Sequence, residues 1–434
     1  MIKNSFSESP HNPEQLKKYA QDLVKVYKSE KAKSKELENV YKELEKYARD
    51  LALVYKSEKT KRIDIETAHH EVQKMFIPLK RDAAGEKGTT AREQNEHIEF
   101  FGYYKGARGV SGDYFDYKKL DNKHYAVIKC DVAGNGVPAA LIMVQIATLF
   151  DSFCRNWTVK DPGYKIDSLV YLINDMLGEK GFKDRFAAFN LGIINMESGE
   201  GHYCNAGDNI LHIYDYAQKK IKNVKLPEAP VAGIFPSELV KFKADFKNVS
   251  YKLNAGDTLF YFTDGLDEAR RYFLNQQSQI ITCYADCPKE NGGYGDTYFK
   301  GSDNEMLGVF RIHQIINAVF RQESFRLVKH YKPEPRKELT FNFSNCKTCV
   351  EEAVLALVSV ERIFRIYQDN GAERSDRVVI ENKIDDFLKI HFNQYRQFFA
   401  HPVETGDSSL GKTYSHIKED EQYDDLTILA IRKK

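Results

Sequence analysis

Residues 131–143 read DVAGNGVPAALIM, and this stretch decides the fold. The residues just before it, YAVIKC, are apolar except for Lys129 and run directly into a carboxylate, Asp131. That is the texture of a buried strand ending at a turn. Gly134 and Gly136 let the backbone double back, and Pro138 sits where a helix accepts proline, in its first turn. An apolar helix, VPAALIMVQIATLFDSFC, follows. A strand, a carboxylate, a glycine turn and a helix therefore follow one another within about two dozen residues.

The same arrangement recurs. Asp113 and Asp116 lie in SGDYFD, Asp264 follows the apolar run TLFYF, and Asp424 with Asp425 precedes LTILAI. Each marks a place where an apolar strand meets a turn. Such strand-end carboxylates project into a shared crevice, where they repel unless a cation neutralises them. Hard divalent ions, Mg²⁺ or Mn²⁺, take oxygen ligands of this kind. The turn after Asp131 also exposes a backbone carbonyl, that of Val132, as a further oxygen. No twelve-residue calcium loop, P-loop, dinucleotide fingerprint or Gly-x-Ser-x-Gly elbow occurs. No Cys or Ser/His constellation offers a protein nucleophile.

Working outward, HIEFFGYY reads as a strand, and YFDYKKLDNKHYAVIKC as a hairpin turning at Asp121-Asn122. KIDSLVYLINDMLGEKG reads as an amphipathic helix closed by Gly181, and VEEAVLALVSVERIFRIY as another. Strands cluster instead of alternating with helices, which disfavours a purely parallel sheet.

The first fifth of the chain differs. Residues 1–15 form a polar tail. From Leu16 to Ile77 there is no glycine or proline. YAQDLVKVYKSEKAK begins at Tyr19 and YARDLALVYKSEKTK at Tyr47, 28 residues or four heptads apart, with 11 of 15 positions identical. With Leu16 as position a, the a positions are Leu16, Leu23, Glu30, Leu37, Leu44, Leu51, Glu58, Ile65 and Val72. Seven of these nine are aliphatic, which predicts a coiled coil over 16–77 and a parallel homodimer. Glu30/Lys33 and Glu58/Lys61 interrupt the seam at equivalent points and would fix register or partner choice. Residues 78–96 read as a linker, leaving 97–434 for the second domain.

Composition narrows the classes. The chain has 434 residues, 42% of them hydrophobic, enough for a sizeable core. Lys plus Arg (64) nearly cancels Asp plus Glu (63), so a scaffold for nucleic acid is not expected. No apolar run reaches the ~18 residues of a membrane span, and residues 1–15 hold no apolar stretch, so a secretory leader is not expected. Seven cysteines, an odd and sparse count, fit reduced thiols in the cytoplasm.

SGDYFD, DVAGNGVPAALIM, NAGDN, PVAGIFP, GDTLFYFTDGLDEA, NEMLG and YDDLTILAIR occur in the order found in bacterial SpoIIE/RsbU-type phosphatases, the regulatory branch of the metal-dependent (protein phosphatase 2C-like, PPM) superfamily, which this chain resembles. The resemblance implies an α+β fold, an αββα sandwich behind the coiled coil. It implies two Mn²⁺ or Mg²⁺ ions that hydrolyse phosphoserine or phosphothreonine. Carried over by motif, Asp113, Asp131, Asp264 and Asp424 would be catalytic metal ligands, with the Val132 carbonyl. Asp425 would be an outer partner and Gly265 would lie backbone-close. Arg108 would be the arginine that holds the substrate phosphate. The implied substrate is a phosphorylated anti-sigma-factor antagonist of the STAS type; input from a partner sensor or from the added segments is expected. A phosphoprotein-binding scaffold without catalysis and a small-molecule phosphohydrolase are the alternatives.

Two departures stand out. Asp208 occupies the place after NAG where the family usually has histidine. Asp264 and Asp424 lie 160 residues apart, so added material is expected at about 271–302 and 330–415. Four cysteines fall there, Cys283 and Cys287 then Cys346 and Cys349, and together they could hold a structural Zn²⁺.

Overall fold

The computed structural model describes residues 13–76, 89–107, 110–134, 136–160, 162–179, 185–275, 277, 279–282, 301–329, 337–368, 377–400, 402–403 and 411–434. The chain divides into two units at Ile65/Glu66.

Helix α1 (Pro13–Phe76), most of which lies in the first unit, begins three residues earlier than the sequence suggests, because proline and glutamate suit a first helical turn. The seam residues Leu16, Tyr19, Leu23, Val26, Leu37, Val40, Leu44, Tyr47, Leu51 and Val54 are all exposed. So are Tyr27, Tyr41 and Tyr55, which recur at position e and widen the apolar stripe. Exposed i,i+4 pairs, Lys42 with Glu38 and Arg49 with Glu45, decorate the polar face.

The second unit contains two antiparallel sheets. Its strands are β1 (Thr90–Gln94), β2 (Ile98–Lys105), β3 (Tyr114–Lys119), β4 (His124–Val132), β5 (Ala187–Asn195), β6 (Glu200–Ala206), β7 (Ile210–Asp215), β8 (Lys220–Lys225), β9 (Val249–Lys252) and β10 (Thr258–Phe262). They continue as β11 (Arg270–Tyr272), β12 (Asn304–Met306), β13 (Ser324–Lys329), β14 (Lys337–Asn342), β15 (Ile366–Gln368), β16 (Val378–Ile380), β17 (Pro402–Val403), β18 (Lys412–Tyr414), β19 (Ile417–Glu419) and β20 (Leu426–Lys433). One sheet has the order β3-β4-β5-β6-β9, the other β1-β2-β20-β10-β7-β8. The remaining strands form small two- and three-stranded pieces. β1 falls inside the stretch expected to be a linker. Its sequence, TAREQ, has one apolar residue, Ala91, so only its pairing with β2 reveals it.

The helices are α2 (Val137–Asn156), α3 (Ile166–Glu179), α4 (Ser237–Lys243), α5 (Asp264–Asp267), α6 (Gly308–Arg321), α7 (Val350–Arg365), α8 (Asn382–His391) and α9 (Tyr395–Phe398). α2 and α3 cover the first sheet through β4 and β6, while α7 covers the second through β2 and β20, with α6 packed beside it. The result is an αββα sandwich. Strand alternation divides the second sheet between two cores. Phe100, Tyr104, Leu259, Tyr261, Leu429 and Ile431 face the other sheet. Phe101, Tyr103, Phe260, Phe262, Ile428 and Ala430 face α6 and α7. Strands buried on both faces read as continuous apolar runs, which is why β10 and β20 show no polar alternation.

α2 is, by length and composition alone, apolar enough to cross a membrane, contrary to the expectation that no run approaches that length. Its apolar residues Ala139, Ile142, Met143, Ile146 and Phe150 belong instead to the core over the first sheet. α7 lies within the 330–415 stretch expected to be added material, and it forms part of the outer helical layer.

Candidate active site

Register brings the acidic residues together. In the β3–β4 pair, Tyr114 faces Cys130, and one further step places Asp113 opposite Asp131. In the β10–β20 pair, Phe262 faces Ile428, so the residues just past β10 meet those just before β20. Asp264 therefore arrives beside Asp424 and Asp425. Gly265 permits that approach, since a Cβ there would lie 1.9 Å from the Asp425 carbonyl oxygen. The two sheets are tied at this end by Thr263, whose Oγ1 donates to Asp113 Oδ2 at 2.6 Å.

The loop after β4 turns as its glycines require, with φ of +88° at Gly134 and +73° at Gly136. Gly112 is equally constrained, because a Cβ there would lie 2.6 Å from the Val132 carbonyl oxygen. That carbonyl thus sits at the Asp113 end of the crevice. Asp425 grips the opposite wall. Its Oδ1 accepts from the Ala107 N–H at 2.8 Å and its Oδ2 from the Gly112 N–H at 3.1 Å. The Asp425 N–H in turn donates to Asp424 Oδ1 at 2.8 Å.

The electrostatics are those of crowded anions. Burial, then Asp131 and Asp425, push the Asp113 carboxyl well above the ordinary carboxylate range. Asp131 is pushed up to about 7 by burial and by Asp264. Asp264, at the exposed rim, is raised by partial desolvation of its carboxyl and then by Asp424. Burial raises Asp425 as well. One basic residue adjoins this group among the described residues that shift it most. Lys129, on the same face of β4 as Asp131, lowers Asp131 and Asp264. Its Nζ bonds the Phe262 carbonyl at 3.1 Å and pairs with Asp208 at 2.9 Å. The aspartate that replaces histidine after NAG is thus the partner of a buried lysine.

Asp116 does not join the cluster. It points to the other face of β3, where Tyr114 Oη donates to it at 2.9 Å and Lys118 pairs with it at 3.2 Å. Arg108 lies outside the described residues, as do Cys283 and Cys287. Cys346 is buried and Cys349 partly so, and both are free thiols.

Three residues at the site escape sequence reasoning. Lys129 had a signal, a lone lysine two residues before Asp131 in an apolar strand. Thr263 had a weaker one as the residue between β10 and Asp264. Arg185 had none. Its Nη1 donates to the Ala133 carbonyl at 2.8 Å and lies over Gly134, beside the loop that follows Asp131.

Residues 121–287 match the family model described as Stage II sporulation protein E (SpoIIE). Protein IcfG of Synechocystis sp. is 26% identical over 242 residues, 48% of this chain and 37% of that protein. Phosphoserine phosphatase RsbU of Bacillus subtilis is 24% identical over 177 residues, 41% of this chain and 49% of that protein. The chain thus spans at most about half the length of these curated relatives. Among solved structures, the SiaA-PP2C domain of Pseudomonas aeruginosa aligns with a TM-score of 0.46 at 14% identity, covering 86% of this chain and 98% of that one. Residues 121–287 are thus similar to the SpoIIE family, and part of the chain is similar to a phosphoserine phosphatase.

Proposed function

We propose that this chain is a divalent-metal-dependent serine/threonine protein phosphatase that acts on a phosphorylated regulatory protein. One observation carries the reading. Asp113, Asp131, Asp264 and Asp424 come from four separated segments and meet at one end of the sandwich. Burial and mutual repulsion raise three of them, and the lysine at hand is already committed to Asp208 and a carbonyl. Such a donor set fits divalent cations, which take carboxylate and carbonyl oxygens. Asp113, Asp131, the Val132 carbonyl, Asp264 and Asp424 would hold them. A pair of divalent ions supplies an acidified water and charge neutralisation for the transferred phosphoryl group.

The chain's own residues prepare that chemistry. Thr263 fixes one Asp113 oxygen and leaves the other to a ligand. Asp425 accepts from the Ala107 and Gly112 N–H groups and so holds Asp113 in place. Lys129 ties the end of β10 to the loop at Asp208, which keeps Asp264 at a fixed distance from Asp131. With no side-chain nucleophile in this set, direct attack by water is the route that the residues support.

The substrate assignment follows the relatives. RsbU and RsbP of Bacillus subtilis bear the name phosphoserine phosphatase. By that likeness the substrate here is a phosphoserine or phosphothreonine on a protein, and the motif resemblance alone suggests an anti-sigma-factor antagonist as its carrier. The heptad seam of α1, apolar and exposed along a single chain, supports a parallel homodimer.

The test is hydrolysis of phosphoserine peptides with and without Mn²⁺ or Mg²⁺, run beside a panel of phosphometabolites. Metal-dependent release from peptides, lost in Asp131→Asn, is expected. Equal or better turnover of a phosphometabolite would overturn the protein substrate. Peptide binding without turnover would make the chain a scaffold.

A further inference from the structure

Cys346 occupies the turn between β14 and α7, Glu352 the first turn of α7, and His391 the last position of α8. His391 is 45 residues from Cys346, yet its Nε2 lies 3.6 Å from Cys346 Sγ. The same Nε2 lies 3.7 Å from Glu352 Oε2. One sulfur, one nitrogen and one oxygen all fall within 4.8 Å of each other. Cys346 and His391 are buried. Glu352 Oε2 is buried too, and finds no hydrogen-bond donor among the described residues.

We propose that Cys346, Glu352 and His391 form a structural zinc site that clamps the start of α7 to the end of α8. Zn–S of about 2.3 Å and Zn–N of about 2.0 Å at a tetrahedral angle put sulfur and nitrogen about 3.5 Å apart. The Cys346–His391 separation matches that edge. The Glu352–His391 separation exceeds the corresponding edge, about 3.3 Å, by a few tenths. His391 also has a ligand's tautomer. Its Nδ1 donates to the Asn342 carbonyl at 3.0 Å, which leaves Nε2 unprotonated, with Cys346 Sγ 3.6 Å from Nε2 and 3.8 Å from Nδ1. A backbone carbonyl in this role commonly accompanies zinc-bound histidine.

The electrostatics agree. Burial and the Glu352 carboxylate raise the Cys346 thiol, so without a cation two would-be anions face each other. A divalent ion reverses that conflict, and the thiol proton goes to solvent as the ion binds. Three protein ligands leave a fourth position for water. This ligand set differs from the four-cysteine one suggested by spacing, because folding brings a histidine from α8 to Cys346 from a distance that no sequence motif spans.

The site is independent of the phosphatase centre, and cobalt distinguishes the two. Carboxylates alone give Co²⁺ no thiolate-to-metal charge-transfer absorption, whereas Cys346 would. The full chain, stripped with chelator and titrated with Co²⁺, should develop that band, and Zn²⁺ should bleach it at about one equivalent. Cys346→Ser and His391→Gln should each abolish the band, with a native far-UV spectrum retained, while Asp131→Asn keeps it. Zinc should also raise the unfolding midpoint of the stripped wild-type chain by several degrees. No band in the wild type, a band surviving in Cys346→Ser, or one lost in Asp131→Asn would overturn the site.

Discussion

The hydroxyl of Thr263 donates to the carboxylate of Asp113 at 2.6 Å, across 150 residues of sequence and from one sheet to the other. This bond is buried, and its acceptor is an acid that its surroundings push toward the neutral form. Thr263→Val leaves Asp113 without that donor. We expect a loss of about 1–3 kcal/mol in stability, the range for leaving a buried acceptor without its donor. Metal affinity should weaken as well. Thr263→Ser keeps the hydroxyl and should restore both, as judged by urea unfolding and metal titration.

The pH dependence of the metal-free chain has a defined sign. Asp131 holds its proton up to about 7, against an ordinary value of 3.8. Between those values the folded chain binds a proton that the unfolded chain has released. Stability from this group is therefore complete at low pH and lost as pH rises through about 7. Melting in chelator from ~pH 5 to ~pH 8 should show a falling midpoint, flatter in Asp131→Asn. Divalent metal should restore the midpoint most at the alkaline end, because it competes with that proton.

Glu305, in NEMLG, is wholly buried between two arginines. Arg311 Nη2 lies 2.9 Å from its Oε2, and Arg271 Nε donates to its Oε1 at 2.6 Å. The arrangement joins β11, β12 and α6 beneath α7. Glu305→Leu takes the carboxylate away from both guanidinium groups and should cost about 3–5 kcal/mol. Glu305→Gln keeps the shape without the charge and should cost less. Chemical denaturation of the two variants gives the comparison.

The α1 seam predicts an assembly. Full-length chain should sediment as a dimer, and Leu44→Glu with Leu51→Glu should sediment as a monomer, since charges at two a positions oppose pairing. A monomeric wild-type chain at micromolar concentration would remove the coiled coil from the account.

The sequence made some of this legible and hid the rest, for physical reasons. Asp113, Asp131, Asp264 and Asp424 stood out because each flanks one end of an apolar run, a one-dimensional signal of a strand meeting a turn. Antiparallel pairing then set 113 against 131 without further information. Lys129 was visible only as an oddity, since its meaning depends on a carbonyl at Phe262 and a carboxylate at Asp208, both distant in sequence. His391 could not be tied to Cys346, because the turn of chain between β14 and α8 sets their separation, not any repeat. β1 was hidden for the opposite reason: an edge strand needs little apolar surface, so its sequence resembles a linker.

α7 is buried from Val350 to Arg365 apart from Glu351 and Glu352. It carries ionic groups as well as apolar ones into that interior, among them Arg365, which bonds Glu361 and the Asp420 carbonyl. A helix enclosed on all sides is a keystone, not an appendage. Anyone trimming this chain toward a smaller relative by excising the long interval before Asp424 would therefore strip the roof from the β2–β20 layer, and with it the alignment that delivers the last aspartate to its companions.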